Sequence, residues 1–488
     1  MVNPRFFDGD LWGFPDAFVE HIETHAAHVF LCGDRAFKIK KDIKLPYLDF
    51  SSVELRRTVL ERELEVNRRF APDLYIGLIE KQGEPVLVMK RFDAKSMLSW
   101  RVDHGGIDNL LAAGLAKTVA QAHGLAPKVG DSGAAIMAGL GAQLSKAFAA
   151  SPDLFPPPLT NEFNGLCDDA LRRLKPLLNQ RSDAGLVRRC HGDLHCANIV
   201  ILEGKPVLFD AIEFSEKIAT IDVLYDLAFL IMDLLRHNQA SAANIILNHY
   251  LSVRRNEEDL SGLKAFPLFL ATRSGVRALV TADLVHELPA SESTNHKTAA
   301  YAYFKACIDF LKPEMPQLVC VGGLSGTGKS TLAARLAPSL GPPPGAIHIR
   351  SDVERKILAG VAETERLAPE LYSSANSVKT YEALFDRAER ALGAGRAVVI
   401  DAVFARESER HAAEKLATHM GVGFRGIWLD ANPETLKARV ALRVGDASDA
   451  TPDVVDTQLG YDLGNMAWTR VNAGGSPEEV HARSVQLQ

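Results

Sequence analysis

Two short strings in this sequence combine the residue types that handle phosphate groups. Residues 323–330 read Gly-Leu-Ser-Gly-Thr-Gly-Lys-Ser, which fits the pattern G-x-x-x-x-G-K-S/T. Residues 191–198 read His-Gly-Asp-Leu-His-Cys-Ala-Asn, and Asp210 follows them. Glycines, a lysine and hard oxygen donors at such spacings bind a nucleoside triphosphate and its magnesium ion. The sequence therefore predicts two separate phosphate sites.

The first string has the context that a phosphate-binding loop requires, because it follows an apolar strand, Leu318–Gly322, and opens a helix. Its glycines let backbone N–H groups turn inward around phosphate oxygens, and the start of the helix adds positive potential. The lysine would bridge the outer phosphates, and the serine after it would offer its hydroxyl to magnesium. The predicted nucleotide-binding residues are Gly323, Ser325, Gly326, Thr327, Gly328, Lys329, Ser330 and Thr331.

Three charged residues beyond this loop could act on the triphosphate. The strand Ala346–Ile349 runs into Asp352 and Arg355, one helical turn apart. Asp352 could deprotonate an attacking hydroxyl, and Arg355 could hold the charge of a substrate. Asp401 ends the strand Ala397–Ile400, where a carboxylate could bind magnesium. A helix-surface ion pair and a strand-end cap are the structural alternatives, and both stay open.

Over about residues 317 to 460 these motifs resemble the small P-loop kinases grouped with gluconate kinase and the polynucleotide 5′-kinases. The likeness includes Arg439 and Arg443 in the pattern P-E-x-L-x-x-R-x-x-x-R, which Ser-Asp-Ala follows at 448–450. It implies that Asp352 is the base toward a substrate hydroxyl. It also implies that a lid arginine, Arg443, closes over the transferred phosphoryl group. A solvated basic helix face is the alternative for both arginines.

In the second string Asp193 and Asn198 lie five residues apart, directly before two short apolar runs, Ile199–Leu202 and Val207–Phe209. A loop can carry Asp193 to an acceptor hydroxyl while Asn198 binds a metal. The following hairpin would return Asp210 to the other side of that metal. A zinc cluster of the neighbouring cysteines and histidines is disfavoured, because no second pair with zinc-ligand spacing exists.

Over about residues 20 to 285 the chain resembles the aminoglycoside phosphotransferase and choline kinase group, relatives of the protein kinases. The resemblance implies that Asp193 is the catalytic base and that Asn198 and Asp210 are magnesium ligands. It also implies that a lysine of the sheet pairs with a helix glutamate to hold the α- and β-phosphates.

The run Val29–Leu31, the Gly33-Asp34 turn and the run Ala36–Lys40 predict a β-hairpin. Lys38 on its second strand is the predicted lysine, and Lys40 on the same face is the alternative, because the register is ambiguous by two residues. Glu63 is its predicted partner, with Glu61 as the alternative, on a helix that Ser51 is expected to cap. Solvated charges on an edge strand and a surface helix are a structural alternative. Residues 23–28 form the segment that is expected to cover this nucleotide, and they contain no glycine-rich pattern.

Further acidic residues follow the predicted metal ligand Asp210. Asp222 and Asp226 lie one helical turn apart, and we expect them to prop the catalytic loop rather than touch phosphate. Glu213 could assist at the metal, and a surface role for it is an equal alternative.

The composition is that of a soluble globular protein, with 47% hydrophobic and 24% charged residues among 488. The formal charge of −6 neither requires a nucleic-acid partner nor argues against a nucleotide or polynucleotide acceptor. With no signal-like N-terminus and no membrane-length apolar run, we expect a cytoplasmic protein without a membrane partner. Six scattered cysteines favour reduced thiols over a disulfide scaffold.

The length requires more than one core, and a proline-containing linker after residue 312 predicts where the chain divides. We expect a kinase-like domain over residues 1–312, with a small lobe at about 1–95 and a helical large lobe at about 96–312. A P-loop domain is expected over residues 317–488, with strands at Leu318–Gly322, Ala346–Ile349, Ala397–Ile400 and Gly426–Leu429. The predicted fold class is α/β and α+β: a bilobal protein-kinase-like fold followed by a three-layer parallel P-loop sheet.

The leading hypothesis is that both halves bind ATP and Mg²⁺. Each half would transfer a γ-phosphoryl group to a hydroxyl of a small molecule. The alternative is a single active P-loop kinase or ATPase that an N-terminal kinase-like binding or sensing domain regulates. Asp193, Asn198 and Asp210 argue against a decayed N-terminal site, because a non-catalytic domain has no chemical need for all three. Acceptor pockets follow no transferable code, so both substrates stay open.

Overall fold

The computed structural model describes residues 2–24, 26–45, 48–287, 290–442 and 447–486. The strands, in chain order, are β1 (Glu20–Glu23), β2 (Ala27–Cys32), β3 (Arg35–Lys40), β4 (Lys44–Leu45), β5 (Leu48–Asp49), β6 (Tyr75–Lys81), β7 (Glu84–Lys90), β8 (Val187–Arg189), β9 (Ile199–Leu202), β10 (Lys205–Leu208), β11 (Thr220–Asp222), β12 (Gln317–Gly323), β13 (Ile347–Arg350), β14 (Val398–Asp401), β15 (Gly423–Asp430) and β16 (Thr469–Asn472).

The α-helices are α1 (Gly9–Trp12), α2 (Val53–Asn67), α3 (Leu98–His104), α4 (Asn109–Leu125), α5 (Gly133–Ala150), α6 (Pro157–Asp183), α7 (Glu216–Ala219), α8 (Val223–Arg236), α9 (Ala240–Arg254), α10 (Glu257–Gly262), α11 (Phe266–Glu287), α12 (Ala290–Leu311), α13 (Lys329–Leu336), α14 (Ser351–Leu358), α15 (Ser374–Gly393), α16 (Glu407–Met420), α17 (Pro433–Ala441), α18 (Pro452–Leu459) and α19 (Pro477–Gln486).

The N-terminal sheet has five strands in the order β1-β2-β3-β7-β6, and every pair of neighbours is antiparallel. The predicted hairpin of β2 and β3 is confirmed, with Val29 opposite Lys38. Side chains alternate between the two faces of a strand, so the buried Phe37 and Ile39 point away from the side that carries Lys38 and Lys40. The sheet therefore presents both lysines on one face.

Helix α2 packs on β6 and β7 of this sheet. The expected N-cap is wrong by one residue, because Ser52 Oγ accepts the hydrogen bond from the N–H of Leu55. Ser51 instead donates its hydroxyl to Asp49. The helix places Glu63 on its buried face and Glu61 on its exposed face, so burial separates the two candidate glutamates.

Two small antiparallel pairs hold the second string. Strand β8 pairs with β11, and β9 pairs with β10 in the predicted hairpin. The loop that carries Asp193 lies between β8 and β9, and a short 3₁₀ helix, Cys196–Asn198, connects it to β9. Helix α8, which follows β11, is buried along nearly its whole length and anchors this region.

The C-terminal sheet is parallel, with five strands in the order β13-β14-β12-β15-β16. The four predicted strands are confirmed as β12 to β15. Strand β16 was not predicted, because three of its four residues are exposed and it has no apolar run. Since the carboxyl ends of parallel strands meet at one edge, the ends of β12, β13 and β14 bring their following residues together.

The chain divides into two compact units. One comprises Met1–Gly139 with Leu178–Gln239, and the other comprises Leu140–Leu177 with Ala240–Gln488. The predicted fold class is confirmed by the antiparallel sheet with its helical region and by the parallel sheet. The domain boundary after residue 312 stays a prediction, and the helices from α9 to α12 group with the parallel sheet. In the described ranges no helix is long and apolar enough to cross a membrane.

Candidate functional site

The phosphate-binding loop of the C-terminal half has the backbone shape that its glycines allow. Gly326 and Gly328 have φ of +88° and +86°, in the left-handed region that favours glycine. A Cβ on Gly326 would lie 2.5 Å from the carbonyl oxygen of Leu436, so no larger residue fits there. Lys329 begins helix α13 directly after Gly328, so the positive end of the helix adds to the loop. This shape fits a chain of phosphate groups.

Two oxygen donors suited to magnesium meet at the carboxyl edge of the parallel sheet. Ser330 Oγ donates to Asp401 Oδ1 at 3.0 Å, and His348 Nε2 donates to Asp401 Oδ2 at 2.6 Å. Burial opposes ionisation of Asp401, but the His348 bond and two nearby cations hold its pKa below the ordinary value. A hydroxyl and an ionised carboxylate are ligands that Mg²⁺ prefers. The predicted pair Ser330 and Asp401 therefore fits this ion.

Asp352 has the opposite electrostatic environment. Burial raises the pKa of its carboxyl, and the nearby charge of Asp401 raises it further. The charge of Lys329 and a hydrogen bond from the Ser448 hydroxyl act in the other direction without cancelling the rise. A carboxylate with a raised pKa takes a proton more readily near neutral pH. Asp352 thus has the electrostatics of a base, and Asp401 has those of a permanent anion.

Asp352, Arg355, Asp401, Lys329 and Ser330 all line one cavity of about 550 Å³. That volume suits a small-molecule ligand. The lining also includes polar side chains that sequence reasoning did not single out as site residues: Tyr372, Tyr381, Arg406, Glu409, Gln458, Tyr461 and Asp462. Ser325 of the phosphate loop lies in the same wall, so the loop and the cavity are continuous.

Arg355 is held in place at the cavity wall. Its Nη1 donates to the carbonyl of Leu371 at 3.1 Å, and its guanidinium lies 5.0 Å from the ring centre of Tyr372. The Tyr372 hydroxyl donates to Asp449 at 2.7 Å, and Lys356 Nζ donates to the same carboxylate at 3.2 Å. The Arg355 Nε is buried and has no hydrogen-bond partner among the described residues. This nitrogen is an unsatisfied donor beside the cavity.

A second cavity, of about 320 Å³, adjoins the phosphate loop. Gly326, Thr327 and Thr331 line it together with Arg439. Arg439 donates from Nη1 to the carbonyl of Ala473 and from Nη2 to that of Gly475, each at 2.9 Å. Arg439 is therefore anchored and is not part of a freely solvated helix face. The predicted lid arginine, Arg443, lies outside the described residues.

Gln458 of helix α18 is a site residue that sequence reasoning missed. The backbone N–H of Ser325 donates to Gln458 Oε1 at 2.7 Å, and both residues are buried. A glutamine in a short amphipathic helix carries no sequence signal for this contact, and only the tertiary fold brings it 133 positions back to the loop.

In the N-terminal half the predicted lysine, glutamate and metal ligand come together. Lys38 Nζ donates to Glu63 Oε1 at 2.7 Å and to Asp210 Oδ1 at 2.8 Å. Burial opposes the charge on Lys38, but Asp210 and Glu63 hold its pKa well above the ordinary value. Burial also opposes ionisation of Glu63, and two lysines hold its pKa below the ordinary value. Glu61 is exposed and takes no part.

Lys40 is a second member of this network and not an alternative to Lys38. Its Nζ lies 2.7 Å from Glu63 Oε2 and 2.7 Å from Glu213 Oε1. Burial and the charge of Glu63 raise the pKa of Glu213. Glu213 is therefore the ion-pair partner of Lys40. This contact differs from the two roles expected for Glu213, which were assistance at the metal and a place on the surface.

The loop between β8 and β9 places its two predicted polar residues, Asp193 and Asn198, side by side. Asn198 Nδ2 donates to the Asp193 carboxylate at 2.8 Å and to the Asp193 carbonyl at 2.9 Å. These bonds use the amide nitrogen and leave the amide oxygen, which is the atom that a metal prefers. The side chains of Asp193 and Asp210 are 39% and 43% exposed, so both carboxylates can reach a ligand from solvent.

Asp226 supports this loop, as the sequence predicted. Its carboxylate accepts the backbone N–H groups of His191 and Gly192 at 3.1 and 3.0 Å. Asp222 instead accepts two hydrogen bonds of 2.7 Å from Arg181 and caps its own helix, so its contribution to the loop is indirect.

The backbone of Asp210 has a further support that sequence reasoning missed. Asp210 has φ of +59°, a left-handed conformation that is uncommon outside glycine. Its N–H donates to the hydroxyl of the buried Tyr75 at 3.0 Å. Tyr75 therefore helps to hold the predicted metal ligand in this conformation.

Comparisons with known proteins match two segments to two families. Residues 57–266 match the model of the phosphotransferase enzyme family, and residues 318–461 match the model of an AAA domain. The two matches together support a kinase, and they cover the two segments for which the sequence predicted phosphate sites.

Proteins described as uncharacterized in Mycobacterium bovis and Mycobacterium tuberculosis are each 29% identical over 489 aligned positions, covering 95% of this chain and 94% of the relative. Among solved structures, a choline/ethanolamine kinase family protein from Mesorhizobium loti is 15% identical with a TM-score of 0.39, covering 60% of this chain and 88% of that one. A gluconokinase from Sinorhizobium meliloti is 20% identical with a TM-score of 0.27, covering 35% and 91% respectively.

Proposed function

We propose that this protein is an ATP- and Mg²⁺-dependent phosphotransferase with two nucleotide sites. Each site transfers a γ-phosphoryl group to a hydroxyl of a small molecule. One observation carries the proposal: the loop lysine Lys329, the oxygen pair Ser330 and Asp401, and the base candidate Asp352 line one cavity. A cavity that holds phosphate ligands and a base together suits transfer between two bound molecules better than it suits nucleotide binding alone.

In the C-terminal site each residue has a separate role. Ser330 and Asp401 would hold Mg²⁺, which when bound neutralises charge on the outer phosphates. Lys329 and the N–H groups of the loop position those phosphates. Asp352 takes the proton of the acceptor hydroxyl, and its raised pKa suits that role. Arg355, fixed on Tyr372, binds polar groups of the acceptor.

The smaller cavity beside the loop is the place that we assign to the nucleoside of ATP. Arg439 holds its guanidinium plane with two backbone carbonyls, which leaves a fixed flat surface next to the loop. A planar guanidinium stacks well on an aromatic base.

In the N-terminal site the chain supplies a comparable set of groups. Lys38, fixed by Glu63, positions phosphate oxygens. Asn198 and Asp210 would hold Mg²⁺, and Asp193 takes the proton of the acceptor hydroxyl. The exposure of Asp193 and Asp210 leaves room for both substrates.

The test is a screen for transfer of the γ-phosphoryl group of labelled ATP to sugars, aminoglycosides, amino alcohols and nucleosides by the full chain. We expect Lys329→Ala to remove one set of products and Asp193→Ala to remove the other. The matched controls are Lys415→Ala and Asp168→Ala, which change exposed side chains that line neither cavity. They are expected to keep both sets.

One result would overturn the two-site proposal. If Asp193→Ala left every product and all ATP turnover intact while Lys329→Ala abolished them, the N-terminal half would be a binding or sensing module. The C-terminal site alone would then be the kinase.

A further inference from the structure

Helix α9 contacts the free edge of the parallel sheet through two asparagines. Strand β13 is the edge strand, so one side of its backbone has no neighbouring strand. Asn248 Oδ1 accepts the N–H of His348 at 2.8 Å, and Asn248 Nδ2 donates to the carbonyl of Ala346 at 3.2 Å. Asn244 Nδ2 donates to the carbonyls of Ala346 and Pro344 at 3.0 and 3.1 Å. The two side chains thus take the place of a sixth strand.

The spacing of the asparagines makes this contact specific. Residues four apart lie on the same face of a helix, so Asn244 and Asn248 can reach backbone groups of alternate residues, from Pro344 to His348, along the start of β13. Asn244 is buried. The amides of both asparagines hydrogen-bond to the backbone, so they fix the position of β13 along α9. A shift of the strand would leave these polar groups unpaired.

The strand that these asparagines hold carries a residue of the metal site. His348 donates from Nε2 to Asp401 Oδ2 at 2.6 Å, and the other oxygen of Asp401 accepts from Ser330. The imidazole fixes the orientation of the carboxylate that we assign to Mg²⁺. The backbone of His348 is therefore held by α9, and the side chain of His348 in turn holds Asp401.

We propose that His348 is a positioning residue for Asp401 and that Asn244 and Asn248 of α9 set its position. Helix α9 belongs to the segment that matches the phosphotransferase family, whereas His348 and Asp401 belong to the segment that matches the AAA domain. The C-terminal site thus depends on a helix from the other family segment. This inference rests on the proposed function of that site and goes beyond it.

The first experiment separates positioning from mere structural support. ATP binding is measured by calorimetry on the full chain with Lys38→Met in the background, so that the C-terminal site dominates, at a series of Mg²⁺ concentrations. We expect His348→Ala to raise the Mg²⁺ concentration needed for half-maximal ATP binding by about tenfold or more, the size typical for residues that orient a metal ligand. His348→Gln, whose amide nitrogen can take the place of Nε2, is expected to restore most of this loss. If His348→Ala left the Mg²⁺ requirement unchanged, or if His348→Gln were as impaired as His348→Ala, the role of His348 would be refuted.

The second experiment tests the part played by α9. Asn248→Ala removes the acceptor of the His348 N–H, and Asn161→Ala is the matched control on an exposed face of α6. We expect faster hydrogen exchange at the His348 amide and a raised Mg²⁺ requirement in Asn248→Ala, and neither change in Asn161→Ala. Asn248→Asp keeps the acceptor of the His348 N–H but loses the donor to the Ala346 carbonyl, so its exchange rate is expected to lie between those of Asn248→Ala and the unmodified chain.

Faster exchange without a change in Mg²⁺ requirement would refute the coupling, and so would unchanged exchange. Failure of the proposed function has a different signature. In that case Lys329→Ala would leave ATP binding unaltered in the same background, whatever the asparagine variants did to exchange at His348.

Discussion

The half-buried Asp352 and the buried Asp401 line one cavity, and their pKa values move in opposite directions. Asp401 receives hydrogen bonds from His348 and Ser330, which favour its ionised form. Asp352 is dominated by burial, which favours its protonated form. Separate environments for two carboxylates commonly mark separate chemical roles. This difference supports Asp352 as the base and Asp401 as the metal ligand.

A pH profile tests this assignment through Ser448. Asp352 acts as a base only when ionised, so transfer by the C-terminal site falls as pH falls through the pKa of Asp352. The Ser448 hydroxyl favours the ionised form, so Ser448→Ala raises that pKa. The acid limb of kcat against pH is then expected to move to higher pH by about half a unit, the value of a weak hydrogen bond. Ser476→Ala, at an exposed helix cap, is the control; a shift to lower pH would contradict the assignment.

Lys40 provides a stability test at the same scale. It is buried between Glu63 and Glu213, so its loss leaves two buried carboxylates facing each other without their shared cation. We expect Lys40→Met to lower the free energy of unfolding by about 3–5 kcal/mol, as for a broken buried ion pair. Denaturant unfolding followed by circular dichroism measures the change.

The double variant Lys40→Met/Glu213→Gln is the control for this explanation. Glu63 keeps its ion pair with Lys38, so Glu213 is the carboxylate that loses its cation in Lys40→Met. The second substitution removes that charge and is expected to recover part of the lost stability. No recovery would mean that packing of the lysine stem, and not charge, causes the loss.

Among the elements, helix α18 has the most direct contact with the phosphate loop. Gln458 accepts the N–H of Ser325, so a side chain of α18 holds the start of the loop. The same side chain lines the cavity of about 550 Å³, so α18 contacts both the loop and the cavity. The helix also packs against α17, which carries Arg439.

Gln458→Glu tests this connection. The substitution keeps the acceptor oxygens but adds a negative charge beside the phosphate position, so we expect ATP binding at the C-terminal site to weaken by about tenfold or more. Gln143→Glu, the same substitution at an exposed position of α5, is the control and is expected to bind as the unmodified chain does. Calorimetry in the Lys38→Met background measures both. Equal affinities for the glutamate and control variants would contradict the placement of phosphate beside Gln458.

Strand β3 shows how an element decides which residues meet. Its side chains repeat every two residues, so Lys38 and Lys40 share a face. Helix α2 presents Glu63 to that face, and one carboxylate can accept from both lysines because it has two oxygens. The sequence left the choice between Lys38 and Lys40 open, and in the structure both lysines pair with Glu63.

At the scale of the whole molecule, the compact units do not follow the order of the motifs. The helices from α9 onward pack with the parallel sheet, although the phosphotransferase match extends to residue 266. In this arrangement α9 supplies side-chain hydrogen-bond partners for the backbone of the edge strand β13 and the residue before it.

Nucleotide stoichiometry tests the two-site description of the whole chain. We expect the chain to bind two ATP molecules in the presence of Mg²⁺, and Lys329→Ala and Lys38→Met to bind one each. Calorimetric titration of the unmodified chain and both variants gives the number of sites. The two-site description would be contradicted if the unmodified chain bound one ATP and Lys329→Ala bound none. The N-terminal half would then bind no nucleotide.

Much of the fold was predictable because it depends on local patterns. Apolar runs separated by helix-length segments identified four strands of the parallel sheet, and two short runs around the Gly33-Asp34 turn identified the hairpin of β2 and β3. Strand β16 was not predicted, because a short polar strand has the same sequence pattern as a loop. Only its pairing with β15 defines it as a strand. The N-cap was placed one residue early, since adjacent serines are equivalent in sequence and differ only in backbone geometry.

The sequence by itself determined which groups can bind phosphate and magnesium, because residue type and short spacing set that chemistry: the glycine loop, Asp193 with Asn198, and the acidic strand ends. Only the tertiary structure decided the partners that tune them. Gln458 reaches Ser325, His348 reaches Asp401, and Asn248 reaches His348 across 133, 53 and 100 positions. Such contacts arise from the packing of elements far apart in the chain, and no local pattern encodes a distance of that kind.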